Sequence, residues 1–250
     1  MTKSGLDFAR GLRTGTSPAK YPRRQTAGIC AALFLGTCFI FMRIFIVDDM
    51  PLVREVMRRV CCVECKCELL GEASTAAEAI CLIKRARPDL ILLDLGLPDS
   101  SGFVVAERIR RLWVYPPKII ALTCHCEPYS VVRSIEMGFD GFIDKNTEGL
   151  RSISKAIKTV MGGGTYFSCA FQSVRTRNET DPEAFNKLLT SRQRDILSLA
   201  STGIGDSRIA ECLQIAVRTA ETHRQNVMRK IGVSSYSSMI AYARKMGFWQ

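Results

Sequence analysis

Four short aliphatic runs, each closed by a polar residue, constrain this chain more than any other feature. Ile44-Phe45-Ile46-Val47 leads into Asp48 and Asp49, Leu90-Ile91-Leu92-Leu93 into Asp94, and Ile119-Ile120-Ala121-Leu122 into Thr123. More loosely, Gly141-Phe142-Ile143 precedes Lys145. Runs of this kind, bounded by turn residues and separated by helical periodicity, read as parallel strands buried on both faces. In an open α/β sheet the ligand site lies beyond the carboxyl ends of the strands, so the five polar side chains are expected to meet at one edge. Three carboxylates gathered there repel one another unless a cation sits among them. With oxygen donors alone, the expected ion is Mg²⁺.

The alternation around these runs is regular from Met42 onward. Pro51 suits a first helical turn, and Leu52, Val53, Val56, Met57 and Val60 recur at three- and four-residue steps. A second strand is expected near Glu68–Ala73, then a helix capped by Thr75 with Ala76, Ala79, Ile80 and Ile83 inward. Leu97 to Gly102 is turn chemistry, and a helix follows through Leu112. Further helices are expected over Pro128–Met137 and Glu148–Met161, with a fifth strand at Gly141–Asp144. Five βα units in succession predict a doubly wound, flavodoxin-like parallel sheet of five strands over residues 42–162. Gly162-Gly163-Gly164 ends the last helix, and residues 163–185 are polar without a sustained period, which reads as a linker. Residues 186–250 are purely helical in pattern: a helix capped by Thr190, a short one over Asp206–Leu213, a longer one over Val217–Ile231 and a last one over Ser234–Met246. Short helix, tight turn and longer basic helix make a helix-turn-helix arrangement within a four-helix, all-α domain.

Charge separates the two halves. The chain of 250 residues has a formal charge of +11; residues 42–162 are nearly balanced, with 17 Lys/Arg against 16 Asp/Glu, whereas residues 186–250 carry ten against four. A basic C-terminal part beside a helix-turn-helix pattern points to a polyanionic partner. The 11 cysteines are irregularly spaced and imply a reducing compartment with free thiols. Cys61, Cys62, Cys65 and Cys67 precede a strand whereas Cys124-His125-Cys126 follows one, so the two groups cannot share a metal, and small apolar or surface positions are expected for them. Residues 1–41 form an extension. Residues 1–26 are polar and basic, and Ala27 to Phe41 make an apolar run short of the roughly 20 residues that span a bilayer. The preferred reading is a mis-assigned start, with Met42 the biological one; a real extension that is unstructured or touches a membrane, and a signal peptide, are the alternatives.

These residues resemble a two-component response regulator of the NarL/FixJ class, a CheY-like receiver joined to a LuxR-type helix-turn-helix. The receiver likeness rests on Asp48, Asp49, Asp94, Thr123 and Lys145 together. The second likeness rests on Leu189-Thr190-Ser191-Arg192, Ile209-Ala210, Val217 to Arg224 and Arg229 to Val233. The resemblance implies Asp94 as phosphoacceptor and Mg²⁺ held by Asp49, Asp94 and the Gly96 carbonyl, with Asp48 acting through water. It implies Lys145 on the phosphoryl oxygens, Thr123 as switch hydroxyl and Phe142 as switch aromatic. It further implies a partner sensor histidine kinase, promoter DNA, a homodimer when active, a receiver that masks or releases the basic helix, and a cytoplasmic location without stable membrane association.

On the basic helix, Glu221, Thr222 and Gln225 share a face that can reach base edges, while Arg218, Thr219, Arg224, Arg229 and Lys230 are better placed for phosphates. His223 is expected to face phosphate or to be structural, and Ala210, Leu213, Val217, Val227 and Ile231 to be core. Three positions depart from the family pattern. Gln193 stands where glutamate is usual, Gly205 where a hydroxyl usually caps a helix, and Phe142 where tyrosine is frequent. Two other readings compete: an aspartyl-phosphate hydrolase, disfavoured by the absence of room for a cap insertion, and a phosphorylation-independent DNA-binding regulator with a degenerate receiver.

Overall fold

The computed structural model describes residues 42–248, so the readings of residues 1–41 lie outside the described part. The chain first builds alternating strands and helices: β1 (Arg43–Val47), α1 (Pro51–Arg59), β2 (Glu68–Ala73), α2 (Ala76–Ala86), β3 (Leu90–Leu93), α3 (Gly102–Leu112), β4 (Lys118–Thr123), α4 (Pro128–Glu136), β5 (Gly141–Asp144) and α5 (Leu150–Met161). β6 (Tyr166–Phe167) and α6 (Cys169–Thr180) follow, then α7 (Phe185–Leu188), α8 (Ser191–Ser201), α9 (Asp206–Leu213), α10 (Val217–Lys230) and α11 (Tyr236–Lys245). The strands form one parallel sheet in the order β2-β1-β3-β4-β5-β6. β3 is buried along its whole length, as continuous aliphatic runs in a doubly covered sheet require. One face packs Phe45, Leu93, Val105, Ile109 and Phe142 beneath α2, α3, α4 and α6. The other packs Ile44, Ile46, Met57, Leu92 and Ile157 beneath α1 and α5.

Local chemistry sets the helix starts. Thr75 accepts from Glu78 N–H at the head of α2. The same helix end is capped a second time from the β3–α3 loop, where the Asp99 carboxylate accepts from Ala76 N–H at 2.7 Å and Ala77 N–H at 3.0 Å. Thr190 and Gln193 form a complete capping box on α8, so glutamine in place of glutamate preserves both bonds. Gly205 begins α9 without a side-chain cap, as its lack of a hydroxyl dictates.

Three expectations are corrected, and one further feature was not expected at all. Residues 163–185 are not an open linker: they add a sixth strand and a twelve-residue helix to the sheet domain. Leu52 is 74% exposed, because Val53, Met57 and Val60 form the inward stripe of α1 and Leu52 stands about 100° away from it. After α1 the chain makes a π-helical turn, Val60–Glu64, that periodicity does not foretell. Val217, expected in the core, is 43% exposed, since Ala220 and Val227 carry the buried stripe of α10.

The C-terminal helices share a core of Phe185, Leu189, Ile196, Leu197, Ile209, Ala220, Val227 and Met239, which Val132 of α4 joins from the sheet domain. Tyr129 N–H donates to Met246 C=O at 2.9 Å, and the Tyr129 ring lies 4.3 Å from that of Phe248. The Phe248 carbonyl accepts from the hydroxyls of Ser198 and Ser201, and Arg194 pairs with Glu136 at 2.7 Å. The helical domain therefore clasps α4 through α8 and the chain's last described residues.

Candidate functional sites

The ends of β1, β3 and β5 bring the acidic set and the lysine together. Parallel pairing aligns Val47 with Leu93 and Thr123 with Asp144, so the residues that follow emerge side by side. Ligand oxygens of Asp48, Asp49 and Asp94 all lie within 4.8 Å of one another. Lys145 Nζ donates to Asp94 Oδ2 at 2.6 Å and to Asp48 Oδ2, bridging the two buried carboxylates. Asp49 is exposed at the mouth. Asp94 Oδ1 accepts from Gly96 N–H, and Asp48 Oδ1 from Met50 N–H. Burial pushes the Asp48 carboxyl up, with the Lys145 ammonium pulling the other way. Burial works to lower the Lys145 pKa, but the Asp94 charge and the hydrogen bonds to both carboxylates outweigh it and leave it raised. The donor set is all oxygen and carries more negative charge than Lys145 neutralises, which suits a hard divalent cation.

Thr123 is fully buried, and its hydroxyl accepts from His125 N–H at 3.1 Å. Phe142 is equally buried and lies under α6, its ring centroid 4.9 Å from that of Phe171.

Several supporting residues escape sequence reasoning. Arg54 donates to the Asp48 and Asp49 carbonyls at 2.7 and 3.1 Å and so fixes the acidic loop. His125 leans over Gly96, where a side chain would meet its Nε2 at 3.3 Å. Gly102 is obligatory, since a Cβ there would stand 2.1 Å from the Asp94 carbonyl oxygen. Its place at the end of a turn-rich segment was a signal for close backbone approach. The described cysteines are free thiols, and the two groups remain apart. Burial pushes Cys67 and Cys126 each up to about 12.

On α10 the outward face stays open. Arg218, Thr219, Thr222, Gln225, Arg229 and Lys230 are exposed, with Glu221 and His223 partly so. The sheet domain does not cover this helix; its contact runs through α8 and the C-terminal residues instead. Thr222 donates its hydroxyl to Arg218 C=O, and Arg218 pairs loosely with Glu221 at 3.4 Å. Lys230 donates to Leu188 C=O and Gln193 Oε1, which ties α10 to the head of α8. Arg224 is placed differently from a free phosphate-binding cation. Its Nε donates to both Asp206 oxygens at 2.8 and 3.0 Å, and the guanidinium lies over the Tyr236 ring at 5.6 Å.

A doubly wound sheet with an acid–lysine pocket at its carboxyl edge, followed by a helix-turn-helix domain, defines a signal receiver coupled to a regulator. Comparison with known proteins agrees. The receiver-domain family of response regulators matches residues 44–158, and the luxR family of bacterial regulatory proteins matches residues 187–243. Transcriptional regulatory protein MctR of Rhizobium johnstonii is 32% identical over 210 residues, covering 82% of this chain and 94% of MctR. Response regulator protein VraR of Staphylococcus aureus is 29% identical over 203 residues, covering 81% and 96%. In fold, the chain is similar to RcsB of Salmonella enterica serovar Typhimurium, solved bound to a promoter with the phosphomimetic BeF3⁻. That likeness has a TM-score of 0.56 at 19% identity, over 82% of this chain and 98% of that one. The chain belongs to the response regulators of the NarL/FixJ class, with a receiver domain and a luxR-type DNA-binding domain.

Proposed function

We propose that this chain is a transcription regulator whose grip on promoter DNA is set by phosphorylation of Asp94 from a partner histidine kinase. The observation that carries the reading is Lys145 bridging Asp48 and Asp94 beside Asp49, in a chain that also presents an open basic helix. Asp48, Asp49, Asp94 and the Gly96 carbonyl would hold Mg²⁺, which supplies charge neutralisation for the incoming phosphoryl group. Asp94 Oδ attacks the phosphorus of the kinase's phosphohistidine, the P–N bond breaks and the imidazole leaves, while Lys145 faces the phosphoryl oxygens. Positioning and charge do most of the work, because a carboxylate is a weak nucleophile toward an anionic phosphate. Once formed, the acyl phosphate carries close to two negative charges, about one more than the carboxylate it replaces, and presents three strong acceptors next to Thr123. The Thr123 hydroxyl, now accepting from His125 N–H, would turn to donate to them.

The DNA contacts follow the exposure of α10. Glu221, Thr222 and Gln225 read bases; Arg218, Thr219, Arg229 and Lys230 meet phosphates; His223 stands at the edge of that face; and Arg224 orients the helix through Asp206. Since the helix is not hidden, gating acts on how the clasp holds each DNA-binding domain, and a homodimer on two half-sites needs its two helices about 34–36 Å apart. Among the described residues no helix is long and apolar enough to cross a membrane, and we place the protein in the cytoplasm. The chain acts as a regulator rather than as a hydrolase. DNA affinity measured with and without an acyl-phosphate donor in Mg²⁺ tests the reading. A tightening of about fivefold or more is expected; identical affinity would instead favour a receiver that has lost control of the DNA-binding half.

A further inference from the structure

The segment between the two domains is built into the receiver at the point where its switch aromatic sits. β6 pairs in parallel with β5, placing Tyr166 opposite Gly141 and Phe167 opposite Phe142, and Ser168 N–H donates to Phe142 C=O at 2.9 Å. Buried Ser168 then caps α6 by accepting from Phe171 N–H. This cap fixes the direction in which Phe171 leaves the helix. Its fully buried ring lies 4.9 Å from Phe142 and stacks on Phe167 at 4.6 Å. Movement of the Phe142 ring toward Phe171 therefore presses on α6.

The far end of α6 is equally tied. Lys187 of α7 donates to the carbonyls of Glu179 and Asp181, each at 2.7 Å, and Asn178 donates to Asn186 at 2.9 Å. α7 carries Phe185, a member of the DNA-binding core whose ring also meets Phe248 at 5.1 Å. One helix thus touches the switch aromatic at its start and the DNA-binding domain at its end.

We propose that α6 is the transmission rod of this protein: the Phe142–Phe171 contact converts phosphorylation at Asp94 into a displacement of α6, which α7 carries into the DNA-binding domain. The inference rests on the phosphorylation-gated reading and names its route. Close-packed aromatic contacts have discrete arrangements rather than a continuum, so a side-chain change at one end becomes a shift of the whole helix.

The test uses the full chain and compares DNA affinity with and without an acyl-phosphate donor in Mg²⁺. Phe171→Leu keeps the apolar bulk and lies outside the phosphoacceptor pocket, so phosphoryl incorporation is expected at wild-type level. The affinity ratio between phosphorylated and unphosphorylated protein is expected to fall from about fivefold or more toward one. Phe142→Leu is expected to do the same, and the double variant to lose no more than either single one, as two links of one route require. A wild-type ratio in Phe171→Leu overturns the inference while leaving phosphorylation control standing; no ratio in the wild-type protein overturns both. Hydrogen exchange of the unmutated chain supplies a readout that needs no variant. Beryllofluoride is expected to change protection in residues 169–180 more than in residues 76–86, and unchanged protection in 169–180 overturns the proposal.

Discussion

In the receiver pocket charged groups face inward and answer one another; on α10 most of them face water and make only local bonds at the surface, such as Arg218 with Glu221 and Arg229 with Asn226. Lys145 is held between two buried carboxylates, Arg54 grips the backbone of the acidic loop, and Gly102 leaves room for the Asp94 carbonyl and nothing more. Arg218, Arg229 and Lys230 stand exposed on a helix whose stability depends on the opposite face, around Ala220 and Val227. On the proposed reading the pocket behaves as a unit, because Lys145 is shared by two carboxylates and the loss of one group changes the partners of the others. On the same reading the basic helix is a row of separate contacts whose losses are expected to be graded. Arg224 belongs to the first kind although it sits on the second element, because Asp206 already engages it.

Substitutions can break or sharpen this contrast. Asp94→Ala has the largest expected effect, a complete loss of labelling by a small phosphodonor in Mg²⁺ with the circular-dichroism spectrum unchanged; residual labelling at wild-type level would remove Asp94 from its role. Gly102→Ala forces a methyl group into the Asp94 carbonyl, and urea unfolding is expected to show a loss of about 1–3 kcal/mol for such overpacking. Gln225→Ala is expected to cost about 1–3 kcal/mol of discrimination at a single base position and little on random DNA. Arg229→Ala, by contrast, is expected to weaken all sequences alike and to reduce the salt slope by about 1. Equal losses on specific and random duplexes for both variants would dissolve the division between base and phosphate contacts. The smallest effect is expected at the clasp. Arg194→Ala removes a partly exposed pair with Glu136, worth about 0.2–1 kcal/mol after solvent screening, read as a small drop in unfolding free energy.

The two regions also differ in how plainly they can be read from the chain. Asp48, Asp49, Asp94, Thr123 and Lys145 could be placed together because strands buried on both faces announce themselves as aliphatic runs, and parallel pairing sends their ends to one edge. Glu68–Ala73 and Asp206–Leu213 form over the expected residues, the first closed by Ser74-Thr75 and the second opened by Gly203-Ile204-Gly205. Arg224 shows the limit. Its spacing on α10 suits a phosphate contact, and only the approach of α9 supplies the carboxylate that takes it.

What the amino-acid order determined by itself was the layered receiver, the acidic edge and the helical DNA-binding half, since each follows from local periodicity and from the residue types that close each run. What the tertiary structure alone decided was the fate of residues 163–185, the outward turn of Leu52 and Val217, and the clasp on α4. A strand of two residues carries no pattern of its own and exists only because β5 offers an unpaired edge. Phe171 and Phe248 stand in segments without a sustained apolar period, and their burial depends on a surface contributed by another part of the chain. Such positions are settled by the partner that reaches them across the fold, and that partner is distant in sequence.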